Sequence, residues 1–215
     1  MASPPPHAEE ELNTVLREHS VKSQFGKRSD HFLPRGELDR LITRESIVAE
    51  LEIEEGEAEA ENLIEFILQK AKRLFAIIVY IRLPKLGDAM LLFQKNKYDD
   101  ERLPIEEWTK EAFEANLLEN TEHPFIVMQG IVKRKKDCIW SKGYIYDFQK
   151  RQWEFLAPMI STEETNDCHN TNVILPFTTQ HSNLAEGSFG VVSKYEIHRD
   201  HIFIGEGNAA VVSMQ

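Results

Sequence analysis

The residues best placed to do chemistry lie in Leu184-Ala185-Glu186-Gly187-Ser188-Phe189-Gly190-Val191-Val192, followed by Lys194-Tyr195-Glu196-Ile197. The pattern predicts two short strands joined by a glycine turn, because Val191, Val192, Tyr195 and Ile197 favour extended backbone. Gly187 and Gly190 bracket Ser188-Phe189, so the chain can adopt unusual dihedrals there or approach a ligand closely. A turn with free N–H groups and no bulky side chain in the way can lie over the phosphates of a nucleotide.

Three other groupings are read as structural. Cys168-His169 has the right atoms for a metal, but only Cys138 could join it and no paired-ligand spacing exists, so no metal is expected. Seven glutamates run from Glu50 to Glu61 without a His or Asp among them. They read as a solvated loop and a helix start, with Glu57, Glu59 and Glu61 leading and Lys70, Lys72 and Arg73 trailing, an order that complements a helix dipole. Lys133 to Lys136 is a short basic patch in an acidic chain and reads as an exposed turn.

The elements that must position the glycine turn follow from the rest of the chain. Its 215 residues are enough for a buried core. Carboxylates outnumber Lys and Arg by 36 to 25, and the resulting charge of −11 disfavours nucleic acid and anionic membrane as partners. Two cysteines make no disulfide framework and suggest a reducing compartment. Met1 to Pro6 has no signal-peptide character, and the apolar run Leu74 to Ile81 is too short for a bilayer. The expectation is an intracellular protein, cytoplasmic or nuclear.

Residues 1–30 are polar and Pro-rich and read as a disordered tail, with a short helix at Asn13 to His19. Leu38, Leu41 and Ile42, then Ile47, Val48 and Leu51, predict two short helices, with Thr43 as the second one's N-cap. Apolar positions from Leu63 to Val79 repeat at three and four residues and predict one helix central to a helical core. Pro84 and Gly87 end it, and Met90, Leu91 and Phe93 predict another. A further helix is expected from Leu103-Pro104, carrying Trp108, Phe113 and Leu117 inward. Tyr144, Tyr146, Phe148, Trp153, Phe155 and Leu156 form an aromatic-rich stretch expected to pack. Residues 161–172 read as a linker, and Val173 to Phe177 as an apolar strand or anchor ahead of the hairpin. The fold class expected is α+β: a helical domain over 31–160, then a small partial sheet over 173–215.

At the glycine turn the chain resembles the nucleotide loop of eukaryotic-type protein kinases, G-x-G-x-x-G-x-V. Ala185 stands where the first glycine would be, while Gly187, Gly190 and Val192 match and Leu184, Ser188 and Phe189 fit. Ile174 to Phe177, the loop, and Lys194-Tyr195-Glu196-Ile197-His198-x-x-His201 together resemble the kinase entry of fungal serine/threonine kinase-like proteins. Phe32-Leu33-Pro34, Leu41 to Ile47, Ala71 to Ile77 and Gln152 to Pro158 are similar to those proteins' N-terminal extension. The resemblance implies the first strands of a small lobe, with Leu184, Gly187, Ser188, Phe189, Gly190 and Val192 at a weak ATP site. It also implies a protein partner for the helical domain.

Phosphoryl transfer needs a lysine, its glutamate, a catalytic aspartate and metal ligands as well as the loop. No lysine follows Lys194, and Ala209 to Gln215 lacks the third-strand pattern. His198-Arg199-Asp200 spells the catalytic-loop tripeptide but lies only eight residues past Gly190, and Gly205 occupies the position of the required asparagine. It reads as coincidence, its His198 and Asp200 as exposed strand-end residues. The reading is therefore a truncated kinase-like chain, inactive alone, whose hairpin is marginal without a full sheet. The alternatives are a non-catalytic helical interaction module and a kinase whose catalytic parts lie in a longer form.

Overall fold

The computed structural model describes residues 11–25, 30–52, 58–105, 140–161, 170–181, 185–187 and 190–203. The expected positions of Trp108, Phe113, Leu117, Lys133 to Lys136, Cys168-His169 and the Ser188-Phe189 turn lie outside them. The architecture is α+β and mostly helical. Seven α-helices are described: α1 (Leu12–Glu18), α2 (Arg35–Leu41), α3 (Arg44–Leu51), α4 (Ala58–Lys70), α5 (Lys72–Tyr80), α6 (Leu86–Lys95) and α7 (Lys142–Arg151). Among the described residues no helix is long and apolar enough to cross a membrane.

Helix α5 is the axis of the core. Every residue from Leu74 to Tyr80 is buried, as the all-round apolar run demands, and α1, α2, α4, α6 and α7 all pack against it. Burying one such large side chain contributes about 1.5–3 kcal/mol, so these roughly two turns carry a large share of the core. Thr43 caps α3 as expected, in a capping box in which its hydroxyl accepts the Ser46 N–H and the Ser46 hydroxyl accepts the Thr43 N–H.

The single helix expected over 63–79 is two. The chain breaks at Ala71, whose φ of −139° leaves the helical region, and α5 starts afresh. Alanine supplies no capping oxygen, so the new N-terminus relies on Asp100, whose carboxylate accepts the N–H groups of Arg73 and Leu74. The far end of α5 is closed from the opposite direction in sequence. Asn13 Nδ2 donates to the carbonyls of Val79 and Tyr80 at 3.0 and 2.7 Å, and Arg17 Nη2 donates to Tyr80 at 2.9 Å.

That contact overturns the disordered tail for residues 11–25. Leu12, Asn13 and Leu16 are buried, and α1 packs along α5. After α1 the chain forms β1 (Val21–Lys22), paired antiparallel with β2 (His31–Phe32). The physical reason is economy. Two leucines and one asparagine suffice when they meet a fully apolar helix and its C-terminal carbonyls.

The aromatic stretch packs in part. Phe148 and Phe155 are buried, but Tyr146 on α7 is 63% exposed. The remaining strands are β3 (Ile160–Ser161), β4 (Phe177–Gln180), β5 (Ala185–Gly187), β6 (Gly190–Val192), β7 (Tyr195–Ile197) and β8 (Ile202–Phe203). They pair two by two: β4 with β7 and β5 with β6 antiparallel, β3 with β8 parallel.

Candidate functional site

Strands β4 to β7 lie along one out-and-back course of the chain. Phe177 pairs with Ile197, Thr179 with Glu196 and Gln180 with Tyr195, with an irregularity between Phe177 and Thr179. The His181 N–H continues the ladder to the Lys194 carbonyl at 2.8 Å. Beyond it Ala185 pairs with Val192, Glu186 with Val191 and Gly187 with Gly190. Gly187 and Gly190 are thus the last described pair of this ladder, and Val192 is the partner of Ala185. Leu184, Ser188 and Phe189 fall outside the described residues, as do the side chains of 185–187 and 190–192.

The base of this ribbon is held by the segment read from sequence as a tail. Gln24 N–H donates to the Phe177 carbonyl at 2.8 Å, and the Ser23 hydroxyl donates to the Leu175 carbonyl at 2.7 Å. Phe25 sets its ring edge against Phe177 and Tyr195, centroids 5.6 and 5.7 Å away, and those two rings stack at 4.9 Å. Ile174 and Phe177 are buried, so Val173 to Phe177 serves as an anchor whose strand begins only at Phe177. At mid-ribbon Glu196 is held below the usual carboxylate range by hydrogen bonding from Thr179 and then His181.

A second attachment follows β7. The tripeptide His198-Arg199-Asp200 leads into a 3-10 turn, Arg199–His201, in which His198 Nδ1 accepts the Asp200 N–H. His198 and Asp200 are half-buried, not exposed strand ends. His198 turns its ring onto Phe32, and Asp200 lies so close to α2 that a Cβ on Gly36 would come within 2.6 Å of its Oδ2. This places the tripeptide in a packing seam.

His201 closes the seam. It is 2% exposed, its Nε2 accepts the Arg35 N–H at 3.3 Å, and its Nδ1 lies 3.0 Å from the Pro158 carbonyl. A nitrogen that accepts a backbone N–H carries no proton, so the ring is neutral with its hydrogen on Nδ1. Burial, the larger influence, holds its pKa below the ordinary histidine value. Beside it Ile160 pairs with Ile202, so the chain on both sides of the expected linker is joined in one short parallel ladder.

Sequence reasoning named the glycine pair and the Val173 to Phe177 anchor, and missed the attachments made by Ser23, Gln24, Phe25 and His201. His201 and Phe25 carried no local signal, since a histidine in a polar stretch and a phenylalanine in a polar tail read as surface. No protein-family model, curated protein or solved structure matches the chain.

Proposed function

We propose that this chain is a regulatory interaction module of a kinase-like protein: a helical extension that grips the opening strands of a small lobe and presents their glycine turn. On this reading it transfers no phosphate by itself and engages a protein partner through the helical domain. One observation carries the reading. The Gly187–Gly190 pair ends a two-stranded ribbon whose base is bonded to Ser23 and Gln24 and packed on Phe25, so extension and loop are one mechanical unit. The glycines contribute a turn able to approach phosphate oxygens, with ATP bound weakly at Gly187 to Gly190 if a nucleotide binds there.

ATP titration of the purified chain and its Gly187→Val variant tests the reading. Weak binding lost in the variant is the expected result. No nucleotide binding at millimolar ATP would favour a helical interaction module whose ribbon only packs. Phosphotransfer by the purified chain would overturn the proposal.

A further inference from the structure

We propose that His198 and His201 form an acid-sensitive latch: protonating the pair frees the chain after β7 from the helical domain while the helical core stays folded. Each ring accepts a backbone N–H on one nitrogen, His198 Nδ1 from Asp200 and His201 Nε2 from Arg35, both at 3.3 Å. A ring nitrogen that takes a proton becomes a donor, so neither bond survives protonation. Histidine is also the side chain whose charge ordinarily changes between about pH 5 and pH 8.

The two rings work as one group. They lie 6.2 Å apart, and both meet the fully buried ring of Phe32 edge to face, His198 at 5.9 Å and His201 at 5.4 Å. Two protonated rings at that separation repel, and their charge stands beside an apolar ring. The charged groups around His201 come from three elements: Arg35 on α2, Arg73 on α5, and His198 and Asp200 on its own turn. Strand β2 presents Phe32, with His31 exposed, and the approach to β3 presents the Pro158 carbonyl. Asp200 is the one anion in that set, and Arg199 Nε lies 3.5 Å from its Oδ1. An imidazolium here is outnumbered by cations, and burial disfavours it further.

Opening is local because the other attachments do not titrate in this range. Ser23, Gln24 and Phe25 hold the ribbon base through a hydroxyl, a backbone N–H and a ring. Among the described residues His201 is the one buried histidine. Burial holds the carboxyls of Glu50 and Asp100 above their ordinary values, so they bind protons more tightly in the folded chain and do not unfold the core in mild acid. What lifts away is the 3-10 turn with β8, and it uncovers Phe32 and Ile160, both fully buried while the latch is shut. The ribbon then keeps one of its two attachments, so acidity controls its coupling to the helical domain. This holds whether or not a nucleotide binds at Gly187 and Gly190.

Amide hydrogen exchange of the whole chain, corrected for intrinsic rates, tests the latch between about pH 7 and about pH 5. Protection at Arg35, Asp200 and His201 is expected to fall at least about tenfold, while the amides of Leu74 to Tyr80 and of Gln24 keep theirs. His201→Gln keeps a neutral acceptor for the Arg35 N–H and should hold its seam protection over the same interval. His198→Asn keeps one for the Asp200 N–H and should move the opening to lower pH. Because a variant can weaken the seam at every pH, NMR also follows the His201 ring in the wild-type chain, where its titration should share a midpoint with the Arg35 amide. Five results would each overturn the proposal: seam protection unchanged at about pH 5, loss of Leu74 to Tyr80 protection along with it, acid opening of His201→Gln like that of the wild type, an opening that His198→Asn does not move, or a His201 ring that titrates apart from the Arg35 amide.

Discussion

Asp100 Oδ1 accepts the backbone N–H of Leu74 at 3.0 Å, and its Oδ2 takes that of Arg73 at 2.9 Å. A residue on a distant 3-10 turn thereby does what Ala71 cannot, and the central helix of the fold starts where it does because of it. Asp100→Ala should cost about 1–2 kcal/mol, the usual loss on removing an N-cap, measured by urea denaturation. Burial, outweighing the two N–H groups, holds this carboxyl above its ordinary value of 3.8. The folded chain therefore binds the proton more tightly than the unfolded one. That contribution is complete below about pH 3.8 and fades as pH rises through the folded pKa. The stability gap between wild type and Asp100→Ala should accordingly be wider at acid pH than at pH 7.5.

The other end of the same helix depends on Asn13, which is 5% exposed and bonds the carbonyls of Val79 and Tyr80. Asn13→Leu keeps the shape and removes both bonds, leaving Val79 with the Arg82 N–H and Tyr80 with Arg17. A loss of about 1–3 kcal/mol is expected from the two buried hydrogen bonds. Deleting residues 1–19 should do worse, since Leu12 and Leu16 leave the core with it. A deletion mutant with wild-type stability in denaturant would show that α1 is dispensable after all.

How much of this was legible depended on how far apart the partners lie. Thr43 and Ser46 sit three residues apart, and their cap could be read directly. The Ala71 break could not, because the apolar repeat runs unbroken from Leu63 to Val79 and its cause, Asp100, comes 26 residues after Leu74. The order of Glu59, Glu61 and Lys70 along α4 was readable for the same local reason that Thr43 was. Lys72 and Arg73, expected to trail on the same helix, fall instead in the first turn of α5. In the candidate site, the approach of Gly187 to Gly190 was readable through backbone chemistry alone. The docking of Phe25 on Phe177 and of His201 on Arg35 spans more than 150 residues in each case, and no periodicity encodes such a pairing.

Gln152 offers a sharper electrostatic test. Its side-chain amide pairs with the backbone of Ile105 in both directions, Oε1 accepting the N–H and Nε2 donating to the carbonyl, each at 2.8 Å. Gln152 is 1% exposed. Gln152→Glu retains one of these bonds and turns an anion towards a carbonyl, so a loss of about 2–4 kcal/mol is expected at pH 7.5. The carboxyl would be forced to titrate above its normal range, and protonation would restore a donor. Stability of this variant should therefore recover as pH falls towards 4.5, relative to wild type. A deficit that is flat with pH would mean that solvent reaches the site.

His201 makes the C-terminal attachment depend on pH in the opposite sense. Its folded pKa is depressed by burial, and Arg35 N–H needs the unprotonated Nε2. Around the ring stand His198, Asp200 and Arg35; Asp200 favours the proton, while His198 and Arg35 oppose it. The unfolded chain protonates first, near the ordinary value of 6.5. Stability from this group is complete above that pH and declines as pH falls through the depressed folded value. His201→Phe loses the acceptor at every pH, so it should be about 1–3 kcal/mol less stable than wild type at pH 7.5. Its own contribution no longer titrates, and the two curves should converge as the wild type is acidified. Amide exchange at Arg35 gives a local reading of the same event. Its protection should weaken in the wild type between pH 7 and pH 5, after correction for intrinsic rates, and be already low in His201→Phe. Parallel stability curves for the two proteins across that interval would remove His201 as the titrating link.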